Sequence, residues 1–100
     1  MKLLAVGRAR KGADVRAEIA RLAEAEMRAL WALYRDGVVR EMYSPGGPGA
    51  ILVLEAASAQ EAEVALAALP LAAASVIEFE ITELHPFSAL AVLFAGQPKQ

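Results

Sequence analysis

One hundred residues with a net charge of −2 make a single domain of ordinary size. The absence of cysteine excludes disulfides, thiolate metal sites and cysteine nucleophiles, a lone histidine cannot build a histidine metal cage within one chain, and no run of Lys or Arg offers a nucleic-acid surface. The composition is 57% hydrophobic, above the usual ~45–50%. Much of the excess is alanine, but the Leu, Val and Ile need somewhere to be buried, which points to self-association.

The chain opens with the strand Lys2–Arg8, apolar and bounded by Gly7 and Gly12. From Ala13 to Asp36 there is neither Pro nor Gly, and Ala, Leu, Glu, Arg and Met dominate. That is one long helix, with Asp14 as its N-cap and Gly37 at the position after its end. Val38–Ser44 is β-branched and aromatic and reads as a second strand. The cluster Pro45–Gly49 turns the chain, and Ala50–Glu55, nearly all apolar, is a central strand. Ser58 with Glu61 three residues on forms a capping box for a second helix, which runs to about Leu69 and is stopped by Pro70. Val76–Leu84 alternates as a strand, with Ile77, Phe79 and Ile81 on one side and Glu78, Glu80 and Thr82 on the other. His85-Pro86 closes it. Phe87–Ala95 is an apolar segment that packs or pairs with a neighbour, and residues 97–100 form a loose tail. The apolar run at the N-terminus is only about five residues, too short for a signal-peptide core. No stretch approaches the ~18–20 apolar residues of a membrane span. The expectation is one cytoplasmic domain over residues 1–96, with no membrane or nucleic-acid partner.

Two β-α-β halves joined by a hairpin predict an α+β, ferredoxin-like β-α-β-β-α-β arrangement, an antiparallel sheet with two helices on one face. The other face, carrying Leu and Val among charges, is bare unless a second sheet covers it. Pairing two such faces would give a homodimer.

On the first helix, Val15, Ile19, Leu22, Leu30 and Leu33 fall within a sector of roughly 80° at about 100° per residue, the stripe that faces the sheet. Leu22→Ala is therefore expected to cost about 2–5 kcal/mol as a core truncation. Glu26 lies in the middle of the same sector. A lone buried carboxylate costs several kcal/mol unless paired or protonated, and desolvation raises its pKa. Two readings are open: a general base or acid held in a pocket between helix and sheet, or a structural carboxylate that reaches the rim or pairs with an arginine such as Arg40. Trp31, Tyr34 and Met27 form a second apolar patch beside the stripe, either core or subunit contact or a ligand-stacking surface. Arg40, on the face of Val38 and Met42 by strand alternation, can anchor a carboxylate or serve as a solvated strand charge. His85, at the end of the last strand, can transfer protons or hold structure. The Pro45–Gly49 loop lacks a following Lys-Ser/Thr and enters a strand, so it is a hairpin connection and not a phosphate loop.

These residues bring a family into view. The chain resembles muconolactone Δ-isomerase and its relatives in the dimeric α+β barrel superfamily. The resemblance is carried by Glu26, Arg35-Asp36-Gly37, Arg40, Leu54-Glu55-Ala56-Ala57-Ser58, Leu69-Pro70-Leu71 and His85-Pro86-Phe87-Ser88, and spans roughly Glu18 to Ser88. The first strand, the Pro-rich hairpin and the tail from Phe87 to Phe94 depart from the family's pattern. The resemblance implies a sheet-to-sheet dimer and cofactor-free chemistry in which a small unsaturated lactone or related carboxylic acid loses a proton at one carbon and regains it at another. Glu26 would then be the base, Arg40 the group holding the substrate carboxylate or enolate, and His85 an aid to reprotonation, with Trp31, Tyr34 and Met42 lining the site and no metal. A non-catalytic oligomeric binding or scaffold protein of the same fold, and a cofactor-free monooxygenase acting on an aromatic substrate, are the competing functions, since fold alone does not choose among them.

Overall fold

The computed structural model describes residues 1–12 and 14–96. The expected helix start at Ala13 and the expected loose tail at 97–100 lie outside the described residues. In chain order the elements are β1 (Lys2–Ala9), α1 (Val15–Arg35), β2 (Val39–Tyr43), β3 (Gly49–Glu55), α2 (Ala59–Ala67), α3 (Pro70–Ala73), β4 (Ile77–Glu83) and a 3-10 segment, Ser88–Phe94. The sheet order is β2-β3-β1-β4, and every pairing is antiparallel. This is the ferredoxin-like β-α-β-β-α-β topology expected from the sequence.

The helix ends follow local chemistry. The Asp14 carbonyl accepts from the Glu18 amide at 2.9 Å, while its side chain makes no capping bond, so Asp14 occupies the cap position without acting through its carboxylate. Gly37 takes φ +82°, which lets the chain reverse so that the Gly37 and Val38 amides bond back to the carbonyls of Tyr34 and Leu33. At α2 the Ser58 hydroxyl accepts from the Glu61 amide at 3.1 Å, and the Glu61 carboxylate accepts in return from the Ala57 amide at 3.3 Å. The capping box is therefore closed one residue earlier than in its simplest form.

The second helix does not reach Leu69 in one piece. The ring of Pro70 crowds the residue before it into extended backbone, and Leu69 sits at φ −63°, ψ 140°. Pro70 then opens α3 from the first helical position, where a missing N–H costs nothing. The proline that ends one helix thus begins another that the periodicity did not announce.

Strand alternation divides the residues between two faces. Leu3, Ala5, Leu52, Leu54 and Val39 are buried beneath the helices and pack with Leu30, Ala62, Leu66 and Leu69. A second cluster of Leu71, Val76 and Ile77 is covered by Val15, Ile19 and Leu22. Leu22 is half-buried, not a core residue, because it covers the smaller cluster near the sheet's end. On β4, Ile77 is buried and Phe79 and Ile81 pack on the core, while Glu78, Glu80 and Thr82 are exposed, as the alternation predicted. The opposite face of the sheet carries Leu4, Val6, Ile51 and Val53, all half-buried, flanked by Arg8, Glu41 and Glu80.

Beyond β4 the chain leaves the body. Leu84 donates its amide to the Lys2 carbonyl at 2.9 Å, and the 3-10 segment that follows buries no residue. The molecule measures 61 × 28 × 21 Å with a radius of gyration of 17.3 Å, against about 13 Å for a close-packed chain of this length. No helix among the described residues is long and apolar enough to cross a membrane.

Candidate functional site

Glu26 is the charged residue buried in the described structure, 4% exposed. It sits on α1 among the residues that cover the sheet, as the helical wheel requires. Its Oε1 accepts a hydrogen bond from the Leu71 backbone amide at 2.9 Å. Leu71 is the second residue of α3, so its N–H is one that the short helix cannot satisfy internally. Oε2 has no protein partner among the described residues. Since no fully occluded side-chain oxygen there is left unbonded, Oε2 keeps a narrow opening to solvent. Burial pushes the Glu26 pKa above the ordinary carboxylate value, and the Leu71 amide opposes that shift with a smaller pull downward. The result is a desolvated carboxylate with one oxygen fixed and the other free.

The remaining candidates lie apart from this carboxylate. Arg40 is exposed, and its Nε donates to the Gly37 carbonyl at 2.7 Å, wrapping the turn between α1 and β2. A β-bulge between Val39 and Glu41 interrupts the alternation on which a shared face for Arg40 and Met42 was expected. Met42 instead pairs with Leu52, on the helix-covered face at the sheet's edge. His85 is exposed, with Nε2 3.6 Å from the Glu83 carboxylate. Met27, Trp31 and Tyr34 lie along one flank of α1 beside the buried stripe, all exposed, with the two aromatic rings tilted and their centroids 5.7 Å apart. Arg40, His85 and the Trp31–Tyr34 pair each meet a local partner. No group of three or more metal-ligating side chains occurs among the described residues.

Open clefts occur elsewhere. A cleft of about 340 Å³ lies between α2 and β4, lined by Leu66, Ala67, Ala72, Ile77, Phe79 and Ile81 with Glu63 and Glu78 at its edge. Another, of about 380 Å³, lies over the ends of β1 and β4, among Arg8, Arg10, Glu78 and Glu80. Glu26 lines neither. The sequence leaves open a pocket, the rim, or an arginine such as Arg40 as the setting of Glu26. The partner found is a main-chain amide, which carries no residue-type signature; the one available signal was the Leu69-Pro70 step, which forces a new helix start and hence unpaired amides.

No protein-family model matches the chain, and no curated protein matches it. Solved structures do. The fold is similar to that of muconolactone isomerase, at 23% identity and a TM-score of 0.70, over 88% of this chain and 94% of that one. It is also similar to 5-chloro-2-hydroxyhydroquinone dehydrochlorinase from Burkholderia phenoliruptrix AC1100, in complex with 2,5-dihydroxybenzoquinone, at 15% identity and a TM-score of 0.61, over 83% of this chain and 93% of that one. Likeness at these identities shows the shared ferredoxin-like fold across nearly the whole length of all three chains.

Proposed function

We propose that this chain is a cofactor-independent enzyme that moves a proton on a small unsaturated lactone or related carboxylic acid, with Glu26 as the proton carrier. The observation that carries this reading is the buried Glu26 carboxylate, with Oε1 held by the Leu71 amide and its pKa raised by desolvation. A base works best when its pKa approaches the operating pH. Burial moves Glu26 in that direction, and the fixed oxygen limits its rotation. In the reaction, the free Oε2 takes a proton from a carbon activated by the lactone carbonyl. The bonding pair shifts into the conjugated system as an enolate, the carboxyl group so formed exchanges its proton with solvent, and a proton is delivered from it to a second carbon. Nothing is oxidised or reduced, and no co-reactant is consumed. The likeness to muconolactone isomerase supports this substrate class. Arg40, His85, Trp31, Tyr34 and Met42 are exposed and lie apart from Glu26 in the protomer, so this reading rests the proton transfer on Glu26 alone. The half-buried apolar face of Leu4, Val6, Ile51 and Val53 is proposed to pair with that of a second copy.

The test is solvent deuterium incorporation into muconolactone and related lactones, followed by NMR. Wild-type protein is expected to exchange the activated proton, and Glu26→Gln to lose that exchange while keeping the fold. Exchange at the wild-type rate in Glu26→Gln would remove Glu26 as the base.

A second reading rests on the same bond. A carboxylate that satisfies a backbone amide has a structural task, and in a non-catalytic oligomeric protein Glu26 would serve only to tie α3 to α1. Deuterium entering none of the lactones, with Glu26→Leu destabilised, would favour it.

A further inference from the structure

Without Pro70, residues 59–74 would read as one helix, since alanine, leucine and glutamate dominate the stretch. In such a helix the Leu71 N–H would donate to the Ala67 carbonyl, four residues back, and would be closed to any other acceptor. Pro70 prevents this in two ways. Its ring keeps Leu69 in extended backbone, at φ −63° and ψ 140°, and in a helix interior it would clash with the carbonyl four residues before it. The helix stops and restarts with Pro70 at its head. Pro70 has no N–H, so the first N–H of the new turn is that of Leu71, and it donates to Glu26 Oε1 at 2.9 Å.

The restart is also anchored behind this donor. The Leu71 carbonyl accepts from the Val76 amide at 2.9 Å, and the Ala72 carbonyl from the Ser75 amide at 2.9 Å. Ser75 takes φ +60°. This is the pattern that closes a helix end, with serine in the place that glycine usually fills. The Val76 carbonyl in turn accepts from the Arg10 amide at 2.9 Å, just past the end of β1. Glu26 Oε1 is thus tied through the main chain of Leu71 and Val76 to the sheet, and not only to the helix that carries it. A glutamate on a bare helix turns freely among its side-chain rotamers. One bonded to this frame does not, and its second oxygen keeps one direction.

We infer that Pro70 is a positioning residue for the Glu26 carboxylate: by restarting the helix it frees the Leu71 N–H, which holds Oε1 and so aims Oε2 at the substrate carbon. The inference rests on the reaction proposed above and adds to it a residue that acts through Leu71. A fixed oxygen matters most as the proton leaves carbon, because the reacting atoms must then be close and aligned. Loss of the donor therefore falls on kcat and leaves KM little changed. It also removes a bond to the charged carboxylate, so Glu26 ionises at a higher pH.

Two full-length proteins test this, each followed by deuterium exchange into muconolactone and by carbon-13 NMR titration of the Glu26 carboxyl. In the first, made by semisynthesis, an ester replaces the Pro70–Leu71 peptide bond. The donor N–H becomes an oxygen while every side chain stays. In the second, Pro70→Ala, α2 should run on through α3 and give the Leu71 N–H to the Ala67 carbonyl. Both proteins are expected to titrate Glu26 at a higher pH than wild type and to move the rising limb of the rate–pH profile with it. Both should lower kcat roughly tenfold, about the worth of one hydrogen bond to a charged group. A purely structural role for the turn would lower the melting temperature and leave the Glu26 titration of the folded protein in place. An ester protein whose Glu26 titrates as in wild type would overturn the role of the Leu71 N–H, and a Pro70→Ala protein that does so would overturn that of Pro70. Failure of the proposed reaction reads differently: wild-type protein then exchanges no lactone proton, while both titrations still move.

Discussion

Glu26 and Leu71 are 45 residues apart in sequence and 2.9 Å apart in space, the carboxylate Oε1 of one accepting the backbone N–H of the other. The bond joins the middle of α1 to the first turn of α3. It therefore fixes the element that the Leu69-Pro70 step creates, and it explains how a carboxylate survives in an apolar stripe. Substitution should separate its two possible duties. Glu26→Gln keeps an oxygen acceptor for the amide and should change stability by less than about 1 kcal/mol. Glu26→Leu leaves the Leu71 N–H buried without a partner and should cost about 1–3 kcal/mol. Urea denaturation of the three proteins measures the difference.

The raised pKa of Glu26 fixes a pH dependence. Desolvation makes the folded state hold its proton to a higher pH than the unfolded chain does. Between the ordinary carboxylate value and the raised folded value, the folded state binds more protons, so stability falls as pH rises. Above the folded value the cost of the buried charge is present in full; below the unfolded value it is absent. Glu26→Gln has no such proton, so its stability relative to wild type should rise as pH increases through that window. A series of denaturation curves from acidic to neutral pH checks the sign. A wild-type protein that instead gains stability over Glu26→Gln as pH rises would contradict it.

The strands, the two main helices and their order were legible because each is written in local signals: Gly37 after the last turn of α1, Ser58 with Glu61 before α2, and the alternation of β4. The misfit of Glu26 was legible too, since a wheel needs only spacing. Its partner was not, because a backbone amide belongs to every residue alike. The bulge at Arg40 was hidden for a related reason: it is set by how β2 meets β3, and no residue in Val39-Arg40-Glu41 demands it. The same holds for Leu22, whose place in the apolar stripe is correct but whose depth depends on how far α1 extends past the larger core.

That depth gives a test of packing. Leu54 is fully buried in the main cluster, between Leu3 on β1 and Val39 on β2. Leu54→Ala should cost about 2–5 kcal/mol through lost burial and the cavity left behind. Leu22 is half-buried over the smaller cluster, so Leu22→Ala should fall below that range. Equal losses in thermal or urea denaturation would mean that the two clusters behave as one core.

The hairpin between β2 and β3 allows a matched pair of glycine substitutions. Gly49 pairs with Arg8 across the sheet and takes φ +127°, a conformation that L side chains rarely adopt. A Cβ there would also run into the Gly7 carbonyl oxygen, which is main chain and cannot rotate aside. Gly49→Ala must therefore move the start of β3 or strain it, at a cost of about 1–3 kcal/mol. Gly47, two residues earlier, has no positive φ, and a Cβ there meets nothing within 4 Å. Gly47→Ala should be neutral or stabilise by up to about 1 kcal/mol, because it removes freedom from the unfolded chain alone. Melting temperatures of the two variants should move in opposite directions or differ clearly in size. A Gly49→Ala protein as stable as wild type would mean that the close approach of β3 to the Gly7 carbonyl is not required by the fold.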